Sequence, residues 1–230
     1  MKLHSYFIEK RIENLEEDKI EEFSKDIFSN NKNHPSLRSF IYFLFAPTLI
    51  YRDSYPQNTR IHWKFVFINL LQFVGGIVVI FLLIERFVIE TFSRVGLEEY
   101  SLSGLARIFR DIFIYGIILN FVVFYCFLHT YHNAVAELLR FSDRQFYKEW
   151  WQSMNMSDYY RKWNVIVQNW LFTYLYQPIR TYSGSTSIAA FLVIIISGIV
   201  HEYILGITLR FLFPALFFFF AVFGREYFLV

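Results

Sequence analysis

Residues 63–84, 112–136 and 188–209 are three apolar stretches, each long enough to cross a hydrocarbon core about 30 Å thick, and nothing else constrains the fold as much. Inside lipid every backbone N–H and C=O must find a partner within the protein, and over a continuous apolar run of this length a helix supplies those partners locally. The first stretch has Lys64 near one end, placed to snorkel, and Glu85 and Arg86 at the other. Gly75 and Gly76 in its middle would let a second helix approach closely. A further apolar run spans 211–223. With 55% hydrophobic and 22% aromatic residues but only 18% charged, below the usual quarter, the chain reads as an all-α, polytopic transmembrane protein.

Several partner classes are excluded at this level. A net charge of +2, with basic residues dispersed among acids, gives no footprint for nucleic acid. Cys126 is the single cysteine, so no intrachain disulfide exists, and its place in an apolar run assigns it to packing. The first twelve residues have no apolar core of signal-peptide length, which leaves membrane insertion to the internal segments.

Between the spans the pattern changes. Ile8, Ile12, Leu15, Ile20, Phe23 and Ile27 recur at helical spacing among acids, which predicts an amphipathic helix over 8–28 outside the bilayer, broken by turn residues and Pro35 at 30–35. The division that follows is a cytosolic helix and turn over 1–36 and a membrane-embedded core over 37–230. Residues 39–50 are apolar but interrupted by Pro47, too short to cross alone. A connecting loop with a short surface helix is expected over 86–111. His129, Asn133 and Glu137, four apart, predict a polar seam on one helical face. His129 and His132 form an H-x-x-H pair, but no third ligand of suitable type is near and no metal site is expected. The 140–162 loop mixes cations with Trp150, Trp151, Tyr159, Tyr160 and Trp163, the chemistry of a bilayer interface. Two intervening spans return the chain to the side it left, so this loop should face the same compartment as 52–60. Residues 165–176, with Gln168 and Asn169, should pack within protein, followed by a turn over 178–187.

One stretch carries the chemistry. Phe146-Tyr147-Lys148-Glu149-Trp150-Trp151-Gln152 and the run from Tyr159 to Asn164 crowd charged, aromatic and amide groups beside a membrane, and His201-Glu202 lies inside the third apolar span. An ionisable group there is costly unless it is buried in protein or faces a wet cavity. Ser197, four residues earlier, shares the face of His201 and could orient its ring. A packing histidine that donates to a neighbouring carbonyl is the alternative reading. A zinc-protease H-E-x-x-H fails because Leu205 stands where the second histidine belongs, and no G-x-S-x-G elbow occurs. For Trp150, Trp151 and Trp163, interfacial anchoring and substrate contact both remain open.

These residues resemble the membrane-bound O-acyltransferases, and within them the sterol O-acyltransferase branch. The run from Tyr42 to Pro56, YFLFAPTLIYRDSYP, looks like that branch; FYKEWWQ at 146–152 is similar to the family's F-Y-x-D-W-W-N box; YRKWNVIV at 160–167 and HEY at 201–203 match its other signatures. The resemblance implies a multi-pass enzyme of the endoplasmic-reticulum membrane. It would move a fatty acyl group from acyl-CoA to a sterol hydroxyl, with acyl-CoA as co-substrate, no further cofactor, and room for a homo-oligomer. It makes His201 the catalytic histidine and Asn164 its polar partner, and places Tyr160, Arg161, Ser197 and Tyr176 against substrate; Arg161, with Lys162 close by, lies where a CoA phosphate arriving from water could be met by a fork of donors. Glu149 and Gln152 each carry one methylene more than the box residues they replace, and Gln168 stands where the family usually has a second histidine. Family members carry further helices on both sides, so the resemblance implies a chain incomplete at both ends. Two other readings stay open: a catalytically silent relative that pairs with an intact enzyme, and an acyltransferase that uses diacylglycerol or a long-chain alcohol.

Overall fold

The structure, a computed structural model, describes residues 1–23, 37–93 and 101–210. The expected break at 30–35 and the apolar run from 211 lie outside them. The described chain packs as two units, one of residues 45–47 and 55–146, the other of residues 1–44, 48–54 and 147–230. Among the described residues there is no strand, only an isolated antiparallel bridge between Gln57 and Phe141.

In the first unit two long helices run antiparallel. Helix α3 covers Trp63–Ser93 and α4 covers Leu102–Leu138. Their contacts fix the direction: His62 meets Glu137, Phe73 meets Phe127 and Tyr131, and Phe87 stacks on Tyr115 at 4.5 Å, so numbers rise along one helix as they fall along the other. A helix of 31 residues is about 46 Å long, more than the hydrocarbon core needs. Most of its side chains, Phe67, Leu71 and Phe81 among them, are exposed, as lipid contact allows and water would not.

Where the helices touch, one glycine decides the spacing. A Cβ on Gly76 would lie 2.0 Å from the Cys126 Sγ, whereas one on Gly75 would meet nothing within 4 Å. The close approach foreseen for the pair belongs to Gly76 alone, and Cys126 fills the gap, fully buried, with its thiol toward the Phe73 carbonyl at 3.6 Å.

Both helices outrun the apolar windows. Glu85 and Arg86 do not end α3; it continues through a π-helical turn, Ile84–Ile89, to Ser93. Helix α4 begins at Leu102, where the Ser101 Oγ accepts the Gly104 N–H at 3.0 Å, so the expected connecting loop is largely helix. Hydropathy reports the thickness of hydrocarbon; helix ends are set by caps. At its other end α4 turns at Arg140, whose φ of 56° is left-handed, and the Phe141 N–H returns to the Ala136 carbonyl at 2.8 Å. This turn lays 140–142 beside 56–58. The Asn58 N–H donates to the Arg140 carbonyl at 2.7 Å and the Ser142 N–H to the Pro56 carbonyl at 3.1 Å, so these two short segments meet at the same end of the helix pair.

The polar seam of α4 takes a different form from the one expected. A second π-helical turn, Phe124–Tyr131, breaks the four-residue repeat. His129 stacks on Tyr125, Asn133 donates back to the His129 carbonyl at 2.8 Å, and Glu137 reaches across to His62 and Arg144.

The second unit is built from α1 (Lys2–Phe23), α2 (Leu37–Phe45), α5 (Met156–Trp163), α6 (residues 165–183) and α7 (Thr186–Leu209). Helix α1 starts six residues before the apolar pattern suggested, and its first turns are docked. Lys2 donates to the carbonyls of Phe43 and Leu44, Ser5 to that of Leu49, and Lys10 pairs with Asp53 at 2.9 Å. The Trp170 indole donates to the Ser5 hydroxyl and the Tyr174 hydroxyl to Glu9. Burial would raise the Asp53 carboxyl, but hydrogen bonds from Lys10 and Tyr51 hold it below the usual range.

Helix α6 runs on to Ser183, so the turn expected over 178–187 shrinks to Gly184 and Ser185. Pro178 would clash with the preceding turn of an α-helix; the π-helical turn Phe172–Tyr176 just before it gives its ring room. Gly184 takes the left-handed φ of 66° that ends α6, and Ser185 caps α7. The two helices then close on Ala189 and Ala190, whose small side chains admit Tyr176 to a cluster with Val193.

Candidate active site

The site forms on one stripe of each of three consecutive helices. Helix α5 starts where the Asn155 Oδ1 accepts the Asp158 N–H at 2.7 Å, and ends at Asn164 with φ −137° and ψ 85°. There the chain breaks and restarts. The Asn164 Oδ1 accepts the Val167 N–H at 3.1 Å, so the side chain singled out in the sequence caps α6. The break lets Tyr160 and Arg161 on one helix, and Gln168 and Leu171 on the next, face one space.

Helix α7 closes that space with Val193, Ile194, Ser197 and His201. The cavity holds about 200 Å³, and Tyr160, Arg161, Asn164, Gln168, Ser197 and His201 all line it. Val167, Leu171, Val193 and Ile194 make its walls apolar. The sequence did carry a signal for these: 160, 164, 167 and 171, and 193, 197 and 201, follow helical spacing on either side of the named polar residues.

His201 is held by its own helix. Its Nδ1 lies 2.7 Å from the Ser197 carbonyl, which can only accept, so Nδ1 carries the hydrogen and the neutral ring has its lone pair on Nε2. The Ser197 hydroxyl is farther, 3.4 Å from the same nitrogen. Orientation of the ring therefore comes from the Ser197 backbone more than from its side chain. The imidazole is exposed among the described residues, and this hydrogen bond defines its tautomer. Glu202, the next residue, is buried.

Two expected contributors lie elsewhere. Tyr176 does not line the cavity; it is packed among Ala189, Ala190 and Val193 and stacks on Phe172 at 5.4 Å, behind the wall that Val193 provides. Its phenol ring is large and apolar, and the gap over two alanines takes it. Lys162 is drawn to Asp158, Nζ to Oδ2 at 2.6 Å, which leaves Arg161 as the cation of the cavity. That hydrogen bond holds the Asp158 carboxyl below its ordinary range.

The aromatic box also lies outside the cavity. Phe146 is buried against His132 at 5.3 Å, and Trp150 is buried with its ring edge-on to Tyr159 at 5.5 Å. Tyr147 and Trp151 pair at 6.5 Å, while the Gln152 N–H closes a turn on the Glu149 carbonyl. The Lys148 N–H donates to the Lys162 carbonyl at 2.8 Å, so the box braces the C-terminal turn of α5 just before Asn164. Of the tryptophans only Trp163 reaches the cavity; Trp150 is buried beside Tyr159 and Trp151 is exposed. Among the described residues no cluster of three metal-ligating side chains occurs.

Residues 30–226 match the membrane-bound O-acyltransferase family. Sterol O-acyltransferase 1 of Mus musculus is 38% identical over 229 residues, which cover 99% of this chain and 41% of that protein. The same enzyme of Macaca fascicularis is 39% identical over 84% of this chain and 36% of its own length. Sterol O-acyltransferase 2 of Homo sapiens is 38% identical over 83% and 37%. The chain thus spans about two fifths of the length of the curated relatives it matches. With three helices among the described residues apolar enough to cross a bilayer and a family match over most of its length, the chain belongs to the membrane-bound O-acyltransferases.

Proposed function

We propose that the chain acts as an acyl-CoA-dependent sterol O-acyltransferase of the endoplasmic-reticulum membrane, with His201 as general base. The observation that carries this reading is the hydrogen bond from the His201 Nδ1 to the Ser197 carbonyl, in a cavity shared with Asn164 and Arg161. It puts a lone pair on Nε2, where a base for an alcohol is needed. Similarity to sterol O-acyltransferases supports the choice of acceptor.

The reaction then balances as follows. Nε2 takes the proton of the sterol hydroxyl as its oxygen attacks the thioester carbonyl carbon, and a tetrahedral oxyanion forms. The amide N–H of Asn164, whose oxygen is engaged by Val167, donates to that oxyanion. The C–S bond breaks, the imidazolium returns the proton to the departing sulfur, and steryl ester and CoA leave. Arg161 pairs with a CoA phosphate through its fork of donors.

Membranes containing the chain should form steryl ester from acyl-CoA and sterol, and His201→Ala should lower the rate by about 10²- to 10⁴-fold, the range for a lost general base. Equal product from the alanine variant removes the base assignment. Ester from diacylglycerol or a long-chain alcohol in place of sterol moves the acceptor. No ester from any acceptor, with capture of an intact relative from co-expressing membranes, makes the chain a silent partner.

A further inference from the structure

We propose that a second cavity, beside the first turn of α3, binds an anionic phosphate group of the kind carried by a phospholipid headgroup. It holds about 940 Å³ and lies wholly within the unit of α3 and α4. Arg60, His62, Lys64 and Arg144 line it together with Glu137, a sum of three fixed positive charges and one negative, or +2 with His62 neutral.

The negative charge is already satisfied. One Glu137 oxygen accepts the His62 N–H at 2.7 Å and lies 2.8 Å from its Nδ1; the other accepts from the Arg144 guanidinium. Arg144 is balanced by that carboxylate. Among the described residues no acid pairs with Arg60 or Lys64, and both are exposed. Two cations facing one space, with an adjacent carboxylate fully engaged, make a receptor for a dianionic or monoanionic phosphate: a fork of donors from Arg60 and a point charge from Lys64.

The remaining wall names the source. Phe65 and Ile68 line the same cavity, are 39% and 41% exposed, and belong to the apolar surface of a membrane-crossing helix. Trp63, 67% exposed, marks the headgroup level. A phosphate at Arg60 and Lys64 would thus have its acyl chains running along α3, an arrangement a soluble phosphate cannot use. The assignment is independent of the acyl-transfer reading.

The full chain, purified in detergent with a mixture of phosphatidylcholine and phosphatidic acid, would be examined by native mass spectrometry for the lipid it retains. Preferential retention of phosphatidic acid is expected. Replacing both cations, Arg60→Gln with Lys64→Gln, should reduce it by about fivefold per cation, while Arg107→Gln with Arg180→Gln, which removes equal charge elsewhere, should leave it unchanged. The exchange Arg60→Lys with Lys64→Arg guards against misfolding and should retain the lipid. Displacement of phosphatidic acid by an equal concentration of inorganic phosphate would overturn the lipid source. Equal retention of the two lipids, or an unchanged preference in the double glutamine variant with normal helicity, overturns the proposal.

Discussion

Glu137 and His201 are both ionisable groups on membrane-crossing helices, yet they are held in opposite ways. Both oxygens of Glu137 are bound by charged or polar partners, and its side chain is only 3% exposed. His201 is fixed through one nitrogen to a backbone carbonyl of its own helix, and its ring is exposed. The first arrangement locks the ends of α3 and α4 together. The second locks a tautomer while leaving the ring where a reactant can meet it. Removing Glu137 should therefore damage the fold more than removing His201 does, and that contrast can be broken experimentally.

The largest effect on stability should come from Glu137→Ala. It leaves Arg144 and the His62 N–H without their carboxylate, and loss of one partner of a buried pair costs about 3 kcal/mol. Thermal unfolding of the purified protein should show a clear drop in Tm, larger than any shift in His201→Ala, which loses the ring's hydrogen bond to the Ser197 carbonyl of its own helix. A matching drop for both variants would erase the distinction.

Asn164 combines the two roles and lets them be separated. Asn164→Ala loses the cap on Val167, about 1 kcal/mol, together with the amide donor. Asn164→Asp keeps a capping oxygen and loses only the donor. Acyl transfer should fall in both variants and stability in the alanine variant alone. Full activity in the aspartate variant would show that Asn164 serves α6 and nothing more.

A smaller effect tests the α3–α4 contact. Gly76→Ala puts a methyl group into the Cys126 thiol, an overpacking cost of about 1–3 kcal/mol against a helix-propensity gain of about 1 kcal/mol. Gly75→Ala meets no atom and keeps the gain. The two variants should move Tm in opposite directions, and Gly76→Ala should recover when Cys126→Ala is added.

What the sequence made legible follows the same physics. The spans and the polar residues of the cavity could be read because they depend on hydrocarbon thickness and helical spacing. The π-helical turns at 84–89, 124–131 and 172–176 left no such mark, since hydropathy does not register one added residue per turn. Hence sequence spacing predicts a straight seam through His129, Asn133 and Glu137 and a turn from Pro178, where the chain instead shifts register and stays helical. Tyr176 packs on Ala189 and Lys162 pairs with Asp158, and such pairings appear only in three dimensions. The docking of α1 was hidden for a different reason: Lys2, Ser5 and Lys10 act through single hydrogen bonds to a distant segment, with no apolar periodicity to announce them.

The smallest predicted effect lies at that docking and is a pH dependence. Burial holds the Lys2 ammonium down at about 8 from an ordinary 10.5. Between these values the unfolded chain binds more protons at this position than the folded one, so the stability contributed here rises with pH across the window. Below about 8 both states are protonated and the dependence disappears. Tyr174 works against the trend at the alkaline end: burial and the adjacent Glu9 raise its hydroxyl, so its bond is favoured until the unfolded phenol begins to ionise near pH 10. The test window is therefore about pH 8 to 9.5. Hydrogen exchange of the first turns of α1, corrected for intrinsic base catalysis, should show protection increasing through it, and Lys2→Met should flatten the curve at a protection equal to or above that of the parent. A slope that persists in the methionine variant would assign the titration to another group and leave Lys2 a simple cap on the carbonyls of Phe43 and Leu44.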